Sequence, residues 1–173
     1  MTTTNTRRND VIDWLNDAYA MERSLEVMLR KQSANEAVHR SIRDRARIHL
    51  EQTEAHAERV AQCLETLGTT PSTIKSAAGQ VMEFSKGMLS KLASDERVKD
   101  YLCAYGAEYF EVASYKALIA AATVAGAEEI IPLLEQNLKE DQEMATWLDT
   151  NVAAVVRDYL FDATSAAAVP SAA

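Results

Sequence analysis

The sequence predicts an all-α protein: an antiparallel four-helix bundle with a long helical crossover between helices 2 and 3 and a short C-terminal helix. Three observations lead there. Only five glycines and three prolines punctuate 173 residues. Val, Ile and Thr never form the alternating run of a half-buried strand. Four long stretches repeat apolar residues at helical spacing, with turn-forming residues between them.

Helix 1 is expected to begin with Asn9 as its cap and to run to about Gln32, behind a disordered Thr/Asn-rich arm over residues 1–8. Val11, Leu15, Ala18, Glu22, Leu25 and Leu29 fall on one face. Asn35 can cap helix 2, which continues to about Leu67 and stops at Gly68. Its face carries Ala46, His49, Leu50, Thr53, His56, Ala57, Val60, Leu64 and Leu67. Thr70-Pro71-Ser72 opens a connecting helix over about 72–92, rich in Met and small residues. Ser94 and Asp95 resemble the cap of helix 3, which extends to about Val124 and ends at Gly126. Helix 4 starts between Ala127 and Ile131, because Pro132 is tolerated only near the first turn. It reaches about Asn151, and a separate segment, Val152 to Phe161, is expected to pack across one end. One domain over 9–162 and a disordered tail over 163–173 complete the layout. Short links within each hairpin and a long connection between them give the topology of a ferritin-like bundle.

An internal repeat fits two related hairpins. Ala18-Tyr19-x-x-Glu22 recurs as Ala104-Tyr105-x-x-Glu108, and His49 to Thr53 is loosely echoed by Asn137 to Asp141, which pairs Gln52 with Glu140.

Composition narrows the partners. A net charge of -8 repels nucleic acid and anionic lipid, so neither is expected as a partner. No apolar run approaches membrane-spanning length, and the first residues lack the apolar segment of a secretory signal. Cys63 and Cys103 lie far apart inside helical patterns, as free thiols of a reducing cytoplasm do. Neither a catalytic triad nor a phosphate-cradling loop is present.

The chemistry lies in acids placed where apolar residues belong. Glu22 falls inside the stripe of helix 1 and Glu108 inside that of helix 3. A buried, unpaired carboxylate costs several kcal/mol, so each must be protonated, paired or bound to a cation. Two at matching points of facing helices repel unless positive charge lies between them, and carboxylates suit iron or manganese. The other reading gives each Glu a buried Tyr, Arg or Lys as partner. Glu111 lies at the stripe's edge one turn after Glu108. In helix 4, Glu140 is at the edge of the core face, with Asn137, Asp141 and Met144 nearer its centre. His49 and His56 share a face of helix 2; His56 is a candidate ligand, and His49 is read first as a core-edge histidine bonded to backbone or Tyr. Glu51 and Glu54 point away from the core. The usual Glu-x-x-His pair of a di-iron bundle is missing.

At these residues the chain resembles the YciE/YciF family of ferritin-like bacterial stress proteins, the YciE branch more than YciF. The resemblance covers about residues 10–162. It rests on DWLNDAYAME (13–22), HLEQT (49–53), EYFEVASY (108–115), LIAAA (118–122) and the run from Leu138 through Glu140 and Asp141 to Trp147 and Leu148. Glu108-x-x-Glu111 is also similar to the third core helix of rubrerythrin. The resemblance implies a cytoplasmic homodimer of the stress response with a dinuclear site for two iron ions, oxidising Fe(II) with O2 or peroxide. Carried over by position, that site comprises Glu22, Gln52, Glu108, Glu111 and Glu140, with His56 nearby. Gln52 stands where the family has Glu, and Asp141 where it tends to have a second Glu. A neutral amide is a poor iron ligand, so the second reading is a metal-free bundle acting as a structural or interaction protein.

Overall fold

A computed structural model of the chain describes residues 3–36, 40–72 and 96–167. They form α1 (Thr3–Ala34), α2 (Arg40–Thr66), α3 (Glu96–Ala125) and α4 (Ile131–Ala167), with one 3-10 turn, Glu128–Ile130, leading into α4. No strand occurs among the described residues.

Each helix has two neighbours: α1 packs chiefly on α2 and α3 on α4, while α1 also meets α3 and α2 meets α4. Side chains set the directions. Met21 and Leu25 of α1 cluster with Ala107 of α3, whereas Val11 and Leu15 cluster with Leu118, Ala122 and Ala125. The two helices are therefore antiparallel. Arg45 reaches Met144 and Arg59 reaches Asn137, so α2 and α4 are antiparallel too. It follows that α2 and α3 run the same way. The connection between them must return along the 27 residues of α2, roughly 40 Å at 1.5 Å per residue. The expected connecting helix over about 72–92 lies almost wholly in residues 73–95, outside the described residues.

Both hairpin ends stop as their glycines dictate. At Gly68, φ is +83°, the Thr69 amide donates to the Leu64 carbonyl and the Gly68 amide to Glu65. At Gly126, φ is +68°, with Ala127 donating to Ala122 and Gly126 to Thr123. Each is a Schellman cap, whose left-handed residue favours glycine. Pro132 is the second residue of α4, where no intrahelical N–H is needed.

Two boundaries differ from expectation. α1 begins at Thr3, six residues before Asn9, so residues 3–8 belong to the helix and not to a disordered arm. Nothing in that stretch breaks a helix, and turns are added cheaply once packing has nucleated one. α4 runs unbroken to Ala167, so Val152 to Phe161 is no separate segment and residues 163–167 are not a disordered tail. No glycine or proline interrupts it after Pro132, and Val152 and Val155 pack on the cluster of Tyr101, Met144 and Leu148. The described part of α2 begins at Arg40, and residues 37–39, between it and the proposed cap Asn35, lie outside the described residues. The proposed caps Ser94 and Asp95 lie outside the described residues.

The largest apolar cluster fills the end of the bundle that holds the two Schellman turns. Val11, Leu15, Val60, Leu64, Tyr115, Leu118, Ile130 and Leu134 are buried there. A buried leucine contributes about 1.5–3 kcal/mol. Leu64→Ala is expected to destabilise by about 2–5 kcal/mol, with a residual cavity adding to the transfer cost. Val124→Ala, at a site 65% exposed, should stay within about 0.5 kcal/mol in the same urea titration.

Candidate metal centre

Toward the middle of the bundle the apolar stripes change chemistry without changing phase. Glu22 follows Leu15 and Ala18 on α1, while Glu108 and Glu111 lie between Ala104 and Tyr115 on α3; all three acids are buried. On α2 the inward positions are His49, Thr53 and His56; on α4 they are Asn137, Asp141 and Met144, again all buried. Steps of three and four put these side chains on one face of each helix, at one level of the bundle.

They form two adjoining groups. His49, Glu108, Glu111 and Asp141 each offer one ligand atom, and these atoms all lie within 4.8 Å of one another. Beside them, His56 Nδ1 is 3.6 Å from Glu22 Oε2 and 3.3 Å from Asp141 Oδ1. Asp141 belongs to both groups. Much of this polar surface has no hydrogen-bond partner: Glu22 Oε2, Glu108 Oε2, both oxygens of Glu111, both of Asp141, His56 Nδ1 and Thr53 Oγ1. A buried acceptor left so is costly, and the donor set suits a divalent cation.

The histidines are held from behind. His49 Nδ1 is 3.2 Å from Gln52 Oε1, and its Nε2 is 2.8 Å from Glu108 Oε1. His56 Nε2 is 2.9 Å from Glu140 Oε2, which leaves Nδ1 toward Glu22 and Asp141. A ring nitrogen bonded to an outer carboxylate or amide, with the other nitrogen turned inward, is the usual arrangement around ligand histidines. Glu22 has an anchor as well, since the Tyr115 hydroxyl donates to its Oε1 at 2.5 Å.

Burial and mutual repulsion set the charge states. Burial, reinforced by Glu108, Glu22 and Asp141, holds the Glu111 carboxyl well above the ordinary range. Burial likewise raises Asp141 to about 9, against the pull of His56. Burial alone would lower the two histidines, but Glu108 raises His49 and Glu22 raises His56 above the usual value. Burial first, then Glu22 and Asp141, pushes the Tyr115 hydroxyl well up, so it stays a donor. Without a cation the cluster therefore holds protons to neutralise itself.

Of the six candidate positions, Glu22, His56, Glu108 and Glu111 converge in the core. Gln52 and Glu140 stand one step round their helices, on ring nitrogens of His49 and His56. Arg59 also pairs with Glu140, donating at 3.1 Å to each oxygen, and holds its carboxyl below the usual range despite partial burial. His49, read from sequence as a core-edge residue, is wholly buried against Glu108. Asp141 takes the central place. On α2 and α4 the inward pairs spaced by three are Thr53-x-x-His56 and Asp141-x-x-Met144, the register in which a di-iron bundle carries Glu-x-x-His. Thr53 and Met144 therefore lack two of that pattern's donors, while His49 and Glu111 bring two others to the same level. Glu51 is exposed, and Glu54 is bonded to Arg30 on the surface, so neither reaches the core. Among Tyr19, Tyr105, Tyr109 and Tyr115, only Tyr115 bonds to this group; Tyr105 donates to Asp149 and stacks near Tyr109.

A stability test follows from the signs of these shifts. Asp141, Glu111, His49 and His56 all have folded pKa values above their unfolded ones, so the metal-stripped fold binds extra protons. Their stabilisation is complete at low pH and is lost as pH rises through the folded values. The thermal midpoint of stripped protein should therefore fall from about pH 6 to pH 9, and Asp141→Asn should flatten that slope. A midpoint that rises over this interval would contradict the charge assignment.

No helix among the described residues is long and apolar enough to cross a membrane. The family model described as "Domain of unknown function (DUF892)" matches residues 6–161. A solved structure from Xanthomonas campestris pv. campestris is 32% identical and superposes with a TM-score of 0.78, covering 91% of this chain and 99% of that one. The E. coli stress protein YciF is 23% identical with a TM-score of 0.72, over 91% of this chain and 99% of its own. A ferritin-like, diiron-carboxylate protein of Bacillus anthracis is 21% identical with a TM-score of 0.68, over 88% and 99%. With its buried acids and histidines in a bundle of this topology, the chain belongs to the DUF892 family and has the ferritin-like fold.

Proposed function

We propose that the buried cluster is a dinuclear carboxylate centre that binds Fe(II), with Mn(II) as the alternative ion, and oxidises the iron with O2 or peroxide. The observation that carries this reading is the set of four buried carboxylates, Glu22, Glu108, Glu111 and Asp141, with oxygens that no protein donor satisfies. Fully ionised, they carry four negative charges, which two divalent ions balance. His49, Glu108, Glu111 and Asp141 would hold one ion; Glu22, His56 and Asp141 would hold the other. The first group already brings one ligand atom from each of its four residues within 4.8 Å of one another, a clustering that would let one ion sit among them. The diiron-carboxylate description of the Bacillus anthracis neighbour agrees with this choice.

Bound there, Fe(II) would be the electron donor for O2 or peroxide, two ferrous ions and two protons accounting for one peroxide reduced to two waters. The residues do the rest. Glu22, Glu108, Glu111 and Asp141 bind the ions and favour the higher charge of the oxidised product. Gln52 and Glu140 orient the two imidazoles from behind, a supporting role in place of the ligand role carried over by position. Tyr115 fixes Glu22, and the apolar cluster at the Schellman end keeps water away. The same reading places the protein in the cytoplasmic stress response, as a homodimer.

A second reading rests on its own observation. Raised values at Glu111, Asp141, His49 and His56 allow protons to neutralise the cluster, and Thr53 and Met144 supply no strong donor. That version is a metal-free bundle working through its surface.

Metal content separates the two. After anaerobic Fe(II) loading and desalting, plasma mass spectrometry should find about two irons per chain. Glu22→Gln should retain about one, and Asp141→Ala, which removes the shared ligand, close to none. Binding should release protons and tighten as pH rises, because ligands held protonated must ionise. Wild-type protein that retains no iron or manganese would reject the oxidoreductase reading in favour of the second.

A further inference from the structure

We infer that Arg59, which touches none of the proposed ligand oxygens directly, is a positioning residue that orients two ligands of one cation position, Glu22 and His56, through two chains of hydrogen bonds. The inference rests on the metal-binding reading above. The Arg59 side chain is 15% exposed at the seam between α2 and α4. One terminal nitrogen donates to Asn137 Oδ1 at 2.7 Å and to Glu140 Oε2 at 3.1 Å; the other donates to Glu140 Oε1 at 3.1 Å.

The polarity of each link then follows from the one before it. Guanidinium only donates, so the oxygen of the Asn137 amide must face Arg59. Its nitrogen is thereby turned inward, donating to the Tyr115 hydroxyl oxygen at 2.8 Å and to the His56 carbonyl at 3.3 Å. Tyr115, accepting from Asn137, has its single O–H left for Glu22 Oε1. Along the second chain, both Glu140 oxygens are committed as acceptors to the guanidinium fork. His56 Nε2 therefore carries the proton it shares with Glu140, and in the neutral ring Nδ1 presents its lone pair toward Glu22 and Asp141.

Without Arg59 each chain loses its direction. Asn137 can turn over and accept from Tyr115, drawing the hydroxyl away from Glu22. His56 can carry its proton on Nδ1 instead, which closes that nitrogen to a cation. Lysine cannot replace the fork, because one ammonium does not hold an amide oxygen and both carboxylate oxygens in a fixed plane.

Cobalt(II), which does not turn over, is the probe. Its dissociation constants for wild type, Arg59→Gln and Arg59→Lys would be measured by chelator competition, with the visible ligand-field spectrum as a second readout. Simple electrostatics and positioning give opposite signs. Removing a nearby positive charge should tighten cation binding if charge alone matters. Positioning requires Arg59→Gln to weaken it by about 10–100-fold, as loss of outer partners does, with a changed spectrum. Arg59→Lys should fail to restore affinity. Unchanged or tighter binding by Arg59→Gln, or full recovery by Arg59→Lys, would overturn the inference, even if the metal-free melting temperature drops. Should Arg59→Gln not fold, Asn137→Ala breaks the Tyr115 chain alone and should weaken binding by about 10-fold; unchanged affinity there counts against it. If wild type binds no cobalt, the metal reading fails by itself. Nitrogen-15 NMR of the metal-free proteins, at a pH where the ring is neutral, then decides on Arg59: His56 should be wholly Nε2-protonated in wild type and mixed in Arg59→Gln. Identical tautomers would reject the role.

Discussion

Four carboxylates and two histidines share a core that water does not reach, and the rest of the bundle is arranged around that cost. Each buried acid must be neutralised by a proton, a partner or an ion. Tyr115 answers for one oxygen of Glu22 and His49 for one of Glu108. Nothing in the protein answers for Glu111, and Asp141 has only the His56 ring nitrogen, 3.3 Å from one of its oxygens. The fold therefore contains a local electrostatic demand that its own side chains do not fill, and this demand is the physical basis for assigning a cation to the site.

Holding such a cluster together requires rigidity elsewhere. On one side of it, packed aliphatic side chains from all four helices supply the favourable burial that tolerates a polar middle. On the other, Tyr101 donates to the Leu148 carbonyl and packs with Ala104 and Met144. Between these apolar layers, α2 and α4 meet through Arg59, Asn137 and Glu140, and α1 meets α3 through Glu22 and Tyr115. The hydrogen bonds thus join the helix pairs that short loops do not connect. The two hairpins, similar in sequence, act as one site only because these cross-links fix their mutual register.

Much of this was legible in the residues. Glycine at 68 and 126 and the lengths of the apolar stripes marked the hairpins, and Glu22, Glu108 and Glu111 stood out as acids in apolar phase. The phase on α2 and α4 was harder to read. Pairing Gln52 with Glu140 in the internal repeat drew attention one residue short of the inward pair, Thr53 and Asp141. A single step turns a helix by about 100°, enough to exchange a core position for its edge. The signal was present, since Asn137, Asp141 and Met144 mark the centre of the α4 face and only Asp141 among them is an acid. His49 is hard to read for another reason: whether a histidine meets backbone or a carboxylate depends on the facing helix, and its partner Glu108 lies 59 residues away. The helix ends at Thr3 and Ala167 are not legible in the sequence because Thr, Asn and Ala tails read as disorder, though none of those residues stops a helix already packed further along.

The central claim is that the unsatisfied acids surround two cation positions that share Asp141. Anomalous diffraction from crystals grown anaerobically with Mn(II), recorded on both sides of the manganese absorption edge, tests it most directly. The account requires two edge-dependent peaks, one among His49, Glu108, Glu111 and Asp141 and the other between Glu22, His56 and Asp141. A core without any such peak, with His49 still on Glu108 and Tyr115 still on Glu22, would contradict it and identify the cluster as a proton-neutralised structural core.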